Sequence, residues 1–200
     1  MKFLQFLLSL IILSLSARAL ASSCNNYHVT KALGDRRVFA NVTCKVIEAL
    51  VQFTNDIEKQ SFQVLHKDVV VILQRIENGI KRIAVESQLD SRDVYSLEAG
   101  FKAFEKDIEE LLKALKDKKT DIVGSDVCAE LVKDLKDLKD AGRQISILVL
   151  GKMPEEFFDI GKRASNKALQ ELQDTINDFS KVGRQAGARS PRRSTTIGAQ

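Results

Sequence analysis

The sequence predicts an all-α protein, an up-down bundle of about five amphipathic helices that follows a cleaved signal peptide. Apolar residues recur at spacings of three and four from Val38 to Val182, and strict alternation is nowhere sustained. Only two prolines and ten glycines interrupt the 200 residues, whereas a β-sandwich or barrel needs a turn signal about every 8–12 residues. With 44% hydrophobic and 29% charged residues, the composition fits one soluble domain that has a packed core.

The N-terminus has the pattern of a secretory signal peptide over residues 1–21. One basic residue, Lys2, precedes an apolar run over residues 3–15, and small residues end in Ala19-Leu20-Ala21. This A-x-A pattern predicts cleavage after Ala21. A membrane anchor is disfavoured because the run is shorter than the ~20 apolar residues that a spanning helix needs. We therefore expect a secreted chain without a transmembrane segment, in which residues 22–35 form a lead segment before the helices.

The positive charge of the chain lies mostly in its C-terminal tail. Loss of Lys2 and Arg18 with the signal peptide lowers the formal charge from +4 to +2, and residues 22–180 alone carry −3. We predict a basic disordered tail over residues 183–200, which lacks apolar periodicity. A solubilising terminus is favoured over attachment to acidic polysaccharide or lipid headgroups. Export makes nucleic acid a poor candidate partner.

Cysteines and one glycosylation sequon agree with export. Cys24, Cys44 and Cys128 are the disulfide candidates, and the oxidising secretory route favours pairing two of them. The pairing stays open, because Cys44 and Cys128 could staple two predicted helices while Cys24, in the lead segment, could reach either. Asn41, in Asn41-Val42-Thr43, is the glycosylation candidate.

The helical domain is predicted over residues 36–182. A first helix covers Arg36–Lys59 and a second covers Phe62–Glu86, either as one long helix or, as we favour, with a break near Gln60–Ser61 where Ser61 caps the new start. The third helix opens after Asp90-Ser91 and ends in the basic stretch Lys116-Asp117-Lys118-Lys119. Ser125 caps the fourth, which Gly151 stops, and Pro154 begins the fifth, which ends near Phe179. Because the connections are short, we expect consecutive helices to be antiparallel neighbours.

Two segments are apolar around the whole helix rather than on one face. They are Val69–Leu73 in the second helix and Ile145–Leu150 in the fourth. Placement in the centre of a bundle explains them completely. The functional alternative is that part of this apolar surplus lines a cavity or a face that binds a hydrophobic ligand.

Residues with catalytic or metal-binding chemistry are sparse. His28 and His66 have no second ligand at metal spacing, so we predict no metal site and no cofactor. The common nucleophile, phosphate-binding and metal motifs are absent from the sequence. Asp107 and Glu110, and the charged run Lys133–Asp140, are interpreted as solvated outer faces of helices, where no desolvation raises a carboxyl pKa. An enzyme is the least favoured class.

Three motifs in the C-terminal two thirds carry a family resemblance. They are Leu112-Lys-Ala-Leu115 followed by Lys118-Lys119, then Asp134-Leu135-Lys-Asp-Leu138, then Leu148-x-x-Gly151-Lys152-Met-Pro154. In order and spacing this stretch, about residues 69–182, resembles the hydrophobic-surface-binding protein A family of fungal secreted and cell-wall proteins. The resemblance implies a secreted helical bundle that adsorbs to hydrophobic surfaces and, in some relatives, holds a fatty-acid-like lipid between its helices.

The resulting hypothesis is a secreted, non-catalytic protein that binds a hydrophobic surface or a long-chain lipid. Cell-wall polysaccharide and a secreted protein stay open as alternative partners. A helical inhibitor or effector that binds a protein partner, and a structural cell-wall component, remain the alternative functions. The predicted lipid-lining side chains are Ile72, Ile76, Phe101, Phe104, Leu148 and Phe157.

Overall fold

The structure is a computed structural model that describes the backbone of residues 36–188 and the side chains of residues 38–182 except position 99. The predicted signal peptide, the lead segment with Cys24 and His28, and residues 189–200 lie outside the described residues. Within the described part every regular element is helical, which confirms the all-α prediction. The elements are α1 Arg36–Glu58, a 3₁₀ turn Phe62–Val64, α2 Leu65–Ala84, α3 Ser91–Asp117, α4 Lys119–Val123, α5 Cys128–Lys152 and α6 Glu155–Ala188.

The five long helices form a closed ring in the order α3, α1, α2, α5, α6. Contacts are extensive between the first four pairs of this ring and sparse between α6 and α3. Consecutive long helices run in opposite directions, as predicted, but two predicted neighbour pairs are wrong: α2 does not pack beside α3, and α3 does not pack beside α5. The connection from Val85 to Asp90 carries α3 across the end of the bundle, where the Leu89 N–H donates to the Lys152 carbonyl at 2.8 Å. As a result α3 packs beside α1 and runs parallel to it.

The predicted break between the first two helices is present, but Ser61 does not cap the second one. Gln60 has a left-handed φ of 59°. The Gln60 N–H donates to the Ile57 carbonyl at 3.0 Å, and the Ser61 N–H donates to the Asp56 carbonyl at 2.8 Å. This pair of bonds is a Schellman motif, which satisfies carbonyls at the end of α1. The Ser61 side chain makes no capping hydrogen bond, so the stop at Gln60 causes the break.

The start of α3 follows the sequence prediction closely. The Asp93 N–H donates to Asp90 Oδ1 at 2.8 Å, and the Asp90 N–H donates to Asp93 Oδ2 at 3.0 Å. This capping box satisfies two backbone donors that the first turn of a helix would leave unpaired.

The predicted boundaries around α5 and α6 need correction. The short helix α4 was not predicted, because five residues are too few to show a periodic stripe. Gly151 lies inside α5, which ends at Lys152, and Met153 is extended with ψ 148°, as favoured before a proline. Pro154 immediately precedes α6, and α6 continues beyond Val182 to Ala188, since no proline occurs before position 191.

Two groups of buried side chains make up the core. The large cluster lies at one end of the bundle, where the end of α1, the start of α2, the end of α3, the start of α5 and the end of α6 meet; its most buried members include Phe53, Ile57, Leu115, Leu135 and Phe179. The small cluster lies at the opposite end and comprises Phe39, Val42, Ile83, Leu89, Val94 and Leu97. Ile145 packs against both clusters. Gly79 brings α1 and α2 together, because an added Cβ there would lie 2.5 Å from Val42 Cγ1.

Asp134, predicted to be solvated, is buried, and only 3% of its surface is exposed. His66 Nδ1 lies 3.0 and 3.1 Å from the two Asp134 carboxylate oxygens. Burial raises the pKa of Asp134, and the hydrogen bond from His66 opposes that rise. The same hydrogen bond raises the pKa of His66 above 6.5. The half-exposed histidine therefore links α2 to a buried carboxylate on α5.

Asp107 on α3, also predicted to be solvated, is 3% exposed. Its Oδ2 atom is buried and has no hydrogen-bond partner among the described residues. Burial, with a smaller contribution from Glu110, raises the pKa of Asp107 to about 6. A charge without a partner is costly in such surroundings, so ionisation of Asp107 destabilises the folded protein.

We expect the link between His66 and Asp134 to stabilise the fold more in mildly acidic than in basic solution. Because the pKa of His66 is raised in the folded state, its contribution is complete below pH 6.5 and is lost as pH rises through the folded pKa. His66→Gln should lower the Tm at pH 6, and the difference from the natural protein should shrink by pH 8. Thermal melts at both pH values measure this, with Lys116→Gln on an exposed position of α3 as control. An effect of His66→Gln that is equal at both pH values would contradict the prediction.

We expect Asp107→Asn to stabilise the protein at neutral pH. The pKa of Asp107 is higher in the folded than in the unfolded state, so stability falls as pH rises from about 4 to about 6. The substitution should raise the free energy of unfolding at pH 7 on the order of 2 kcal/mol, and the gain should vanish near pH 4. Denaturant titrations at the two pH values test this, with the exposed Asp140→Asn as control. A gain that persists undiminished at pH 4 would show that the carboxylate charge is not the cause.

Candidate functional site

The predicted lipid-lining residues fall into two sets in the structure. Ile72 and Ile76 on α2 are buried members of the large cluster, and Phe104 on α3 packs partly exposed against the same cluster. Phe101, Leu148 and Phe157 pack partly exposed against the small cluster. The α2 residues are thus already covered by protein, whereas the others retain accessible apolar surface.

The partly exposed residues belong to a larger apolar surface on one side of the bundle, which we call the inner wall. These side chains pack against the core clusters without becoming buried. From Lys139 to Asp174 no side chain is buried, although the stretch covers half of α5 and much of α6. The inner wall consists of Phe101, Phe104 and Ile108 on α3, Ile145, Leu148 and Val149 on α5, and Phe157 and Leu172 on α6.

Glycines hold α5 and α6 close together beside the inner wall. A Cβ added at Gly161 would lie 2.7 Å from Leu150 Cδ2, and one added at Gly142 would lie 3.6 Å from Leu169 Cδ2. Lys139 Nζ also bonds Gln173 Oε1 at 2.5 Å. The α5–α6 side of the inner wall is therefore closed by direct contact.

Contacts between α3 and α6 are fewer and lie nearer the surface. The rings of Tyr95 and Phe157 meet edge to face with centroids 5.2 Å apart, and the Ser91 hydroxyl donates to Glu156. Farther along, Lys167 Nζ lies 3.1 Å from Glu109 and 3.7 Å from Glu105. The hydrogen bond to Glu109 raises the pKa of Lys167.

Asp107 is the buried polar group nearest in sequence to the inner wall, since it follows Phe104 by three residues and precedes Ile108. With a pKa of about 6, its carboxyl group can act as a hydrogen-bond donor in mildly acidic surroundings. Sequence analysis missed this burial. Asp107 lies seven residues after Gly100 and four before buried Leu111, and this helical spacing was the available signal.

A separate shallow cleft of about 270 Å³ lies on the α1–α2 side of the bundle. Four of its six lining residues are polar or charged, and Arg75 there donates to Glu48 at 3.1 Å and to the Lys45 carbonyl. Burial, followed by the neighbouring Asp56, raises the pKa of Asp68 to about 6. The lining residues are Glu48, Ala49, Gln52, Asp68, Val71 and Arg75. None of them is a predicted lipid-lining residue.

Large apolar side chains are exposed mainly at the end of the bundle that holds the small cluster. We call this group the apolar end. Its members come from the end of α2, the start of α3, the end of α5 and the start of α6. They are Val85, Tyr95, Ile147, Phe158 and Ile160, with exposures from 41% to 83%.

The described modification candidates are not inner-wall residues. Asn41 is half-buried on α1, and its side-chain oxygen accepts a hydrogen bond from Arg82 at 3.4 Å. Cys128 is a free, buried thiol whose pKa is raised by burial. Cys44 is disulfide-bonded, so the alternative staple between Cys44 and Cys128 does not form.

Two further properties concern residues 36–188. No group of three or more histidine, cysteine or acidic side chains in the described part is arranged to hold a metal ion. Among the described helices, none combines the length and the apolar character that crossing a membrane requires.

Solved structures with similar folds include two ligand-binding domains of the MP1 protein of Penicillium marneffei. Domain 1, solved in complex with arachidonic acids, is 27% identical and superposes with a TM-score of 0.69, covering 72% of this chain and 98% of that one. Domain 2, also in complex with arachidonic acids, is 24% identical with a TM-score of 0.70, covering 77% and 99%. At that lower identity, domain 2 supports the fold alone.

Sequence comparisons agree with the fold. Cell wall mannoprotein 1 of Talaromyces marneffei is 31% identical over 186 residues, which make up 92% of this chain. The chain spans 40% of the length of that relative. The profile of the family described as Hydrophobic surface binding protein A matches residues 40–150. Because this match covers more than half of the chain, the protein belongs to the hydrophobic surface binding protein A family.

Proposed function

We propose that the protein is a non-catalytic carrier that binds a long-chain, fatty-acid-like lipid along the inner wall. The observation that carries this proposal is the partial exposure of apolar side chains that face the bundle interior on α3, α5 and α6. Other apolar side chains of the bundle are buried completely: Phe53, Ile57 and Val69 are each 0% exposed. The partial exposure of the inner wall is therefore not a general property of this bundle.

An acyl chain suits this surface chemically. It is long, narrow and uniformly apolar, and the inner wall offers aliphatic and aromatic side chains from three helices. At ~25 cal/mol per Å², burial of a few hundred Å² contributes several kcal/mol before ordering costs. The helices keep their internal backbone hydrogen bonds when they separate slightly, so making room for the chain leaves no backbone group unsatisfied.

The relatives support the same ligand class. A domain that shares 27% of its residues with this chain has been solved with arachidonic acids, and the family is described by hydrophobic surface binding. Because Ile72 and Ile76 are buried, we expect them to support the side chains that contact the ligand and not to contact it themselves. Phe101, Phe104, Leu148 and Phe157 remain the proposed contacts.

A second activity, adsorption to hydrophobic surfaces, is favoured by the apolar end. Its exposed side chains are concentrated at one end of the bundle, and exposed apolar area of this kind is typical of interaction sites.

We further propose that the protein acts outside the cell, in the medium or in the cell wall. The signal-peptide pattern at residues 1–21 supports export, and the 31% identical relative is a cell wall mannoprotein.

We expect Leu148→Glu to weaken binding of a long-chain lipid at least tenfold. The substitution places a charge on the inner wall, and a charge buried against an acyl chain has no compensating partner. Titration of the delipidated protein with the fluorescent fatty acid cis-parinaric acid measures the affinity, and circular dichroism checks that the variant stays folded.

Ile147→Glu is the matched control, because the adjacent side chain is 66% exposed and belongs to the apolar end. It should leave the affinity for cis-parinaric acid unchanged and weaken adsorption to hydrophobic beads. Equal loss of fatty-acid affinity in the two variants would contradict binding along the inner wall. A natural protein that binds no cis-parinaric acid and releases no lipid in native mass spectrometry would contradict the proposed function itself.

A further inference from the structure

We call the interface between two neighbouring helices of the ring a seam. Four of the five seams have extensive contacts. Gly79 lets α2 contact Val42 of α1, and α1 and α3 share the most extensive interface. The α2–α5 seam is held by His66 with Asp134 and by Lys152 Nζ, which donates to backbone carbonyls at the end of α2. The glycines at 142 and 161 bring α5 and α6 into contact. The fifth seam, between α3 and α6, is the sparsest.

Side chains near the surface hold the middle of this fifth seam. Lys167 spans it to Glu105 and Glu109, and all three side chains are more than half exposed, at 54%, 51% and 53%. Ion pairs with this exposure add little stability, because water solvates the separated charges almost as well. Breaking this bridge therefore has a low energetic cost.

Apolar groups line the seam between the Tyr95–Phe157 contact and Lys167. Ile160 is 60% exposed, and Ala164 is also exposed. Ala164 lies four residues after Ile160 and three before Lys167, so helical spacing places all three on the side of α6 that faces α3. Phe101 and Phe104 of the inner wall occupy the middle of α3. A strip of apolar surface thus leads from solvent toward the inner wall.

We propose that the α3–α6 seam is the portal through which the lipid chain reaches the inner wall, and that the bridge from Lys167 to Glu105 and Glu109 is its latch. This proposal rests on the proposed lipid binding. The acyl chain first contacts Ile160 and Ala164, the bridge breaks, and α6 moves away from α3 without loss of backbone hydrogen bonds. When the chain is inside, the bridge re-forms over it.

The rate of lipid uptake tests the latch. Delipidated full-length protein is mixed with cis-parinaric acid in a stopped-flow fluorimeter, and the association rate constant is measured. Lys167→Met keeps an apolar stem but removes the bridge, so the rate should rise about two- to fivefold, the factor expected for loss of an exposed ion pair from the closed state. Lys113→Met is the matched control, because Lys113 pairs with Asp117 within α3, and its rate should equal that of the natural protein.

Charge reversal gives a second reading. Lys167→Glu places a third carboxylate beside Glu105 and Glu109, so uptake should be faster than in Lys167→Met. Adding Glu109→Lys to Lys167→Glu rebuilds a bridge of opposite polarity and should slow uptake again. Circular dichroism confirms the fold of each variant, and Lys167→Met carries the test where a charge-reversed variant is unfolded.

The outcomes separate this proposal from the proposed function. Rates within twofold of the natural protein in Lys167→Met and Lys167→Glu, with normal equilibrium binding, would overturn the latch while leaving lipid binding intact. A rate increase in Lys113→Met equal to that in Lys167→Met would also overturn it. If the natural protein gave no fluorescence change at saturating probe, both proposals would be wrong.

Discussion

The structure depends on the packing of the large cluster, where all five long helices meet. A helix satisfies its own backbone hydrogen bonds, so only side-chain contacts hold the helices of a bundle to one another. Phe53, Ile57, Leu115, Leu135 and Phe179 are almost completely buried there, and the Schellman motif at Gln60 turns the chain so that α2 begins inside this cluster. Because this end is anchored, the opposite half can be packed more loosely without loss of the fold.

The incompletely buried apolar side chains are not distributed evenly around the ring. Helices α1 and α2 approach each other at Gly79, and α5 approaches α6 at Gly142 and Gly161. The second half of α5, the first part of α6 and the middle of α3 carry apolar side chains that stay partly exposed. A protein interior normally approaches crystal-like packing density, and these side chains have accessible apolar area that a bound lipid would cover. On this side of the ring, exposed ion pairs join the middle of α3 to α6.

The buried carboxyl groups of Asp134 and Asp107 differ in their partners. Asp134 is buried in the packed half, and His66 compensates it directly. Asp107, which is adjacent in sequence to Ile108 of the inner wall, has a buried oxygen without a partner in the described residues, and its pKa rises to about 6. A carboxyl that is neutral in mildly acidic surroundings is compatible with an apolar neighbour, whereas a carboxylate is not. The stability of the folded protein therefore falls as Asp107 ionises with rising pH.

The sequence by itself determined the helical class, the long helices to within a few residues at most ends, and the family. These features are local: periodic apolar stripes, the Asp90 cap and Pro154 act over a few neighbouring residues. The tertiary structure decided which helices are neighbours, that Ile72 and Ile76 are covered while Phe101, Phe104, Leu148 and Phe157 stay partly accessible, and that Asp107 and Asp134 are buried. Helical spacing limits the face on which a residue lies, but its neighbours depend on how α3 crosses the bundle. That crossing arises from contacts between residues far apart in the chain, which no local pattern records.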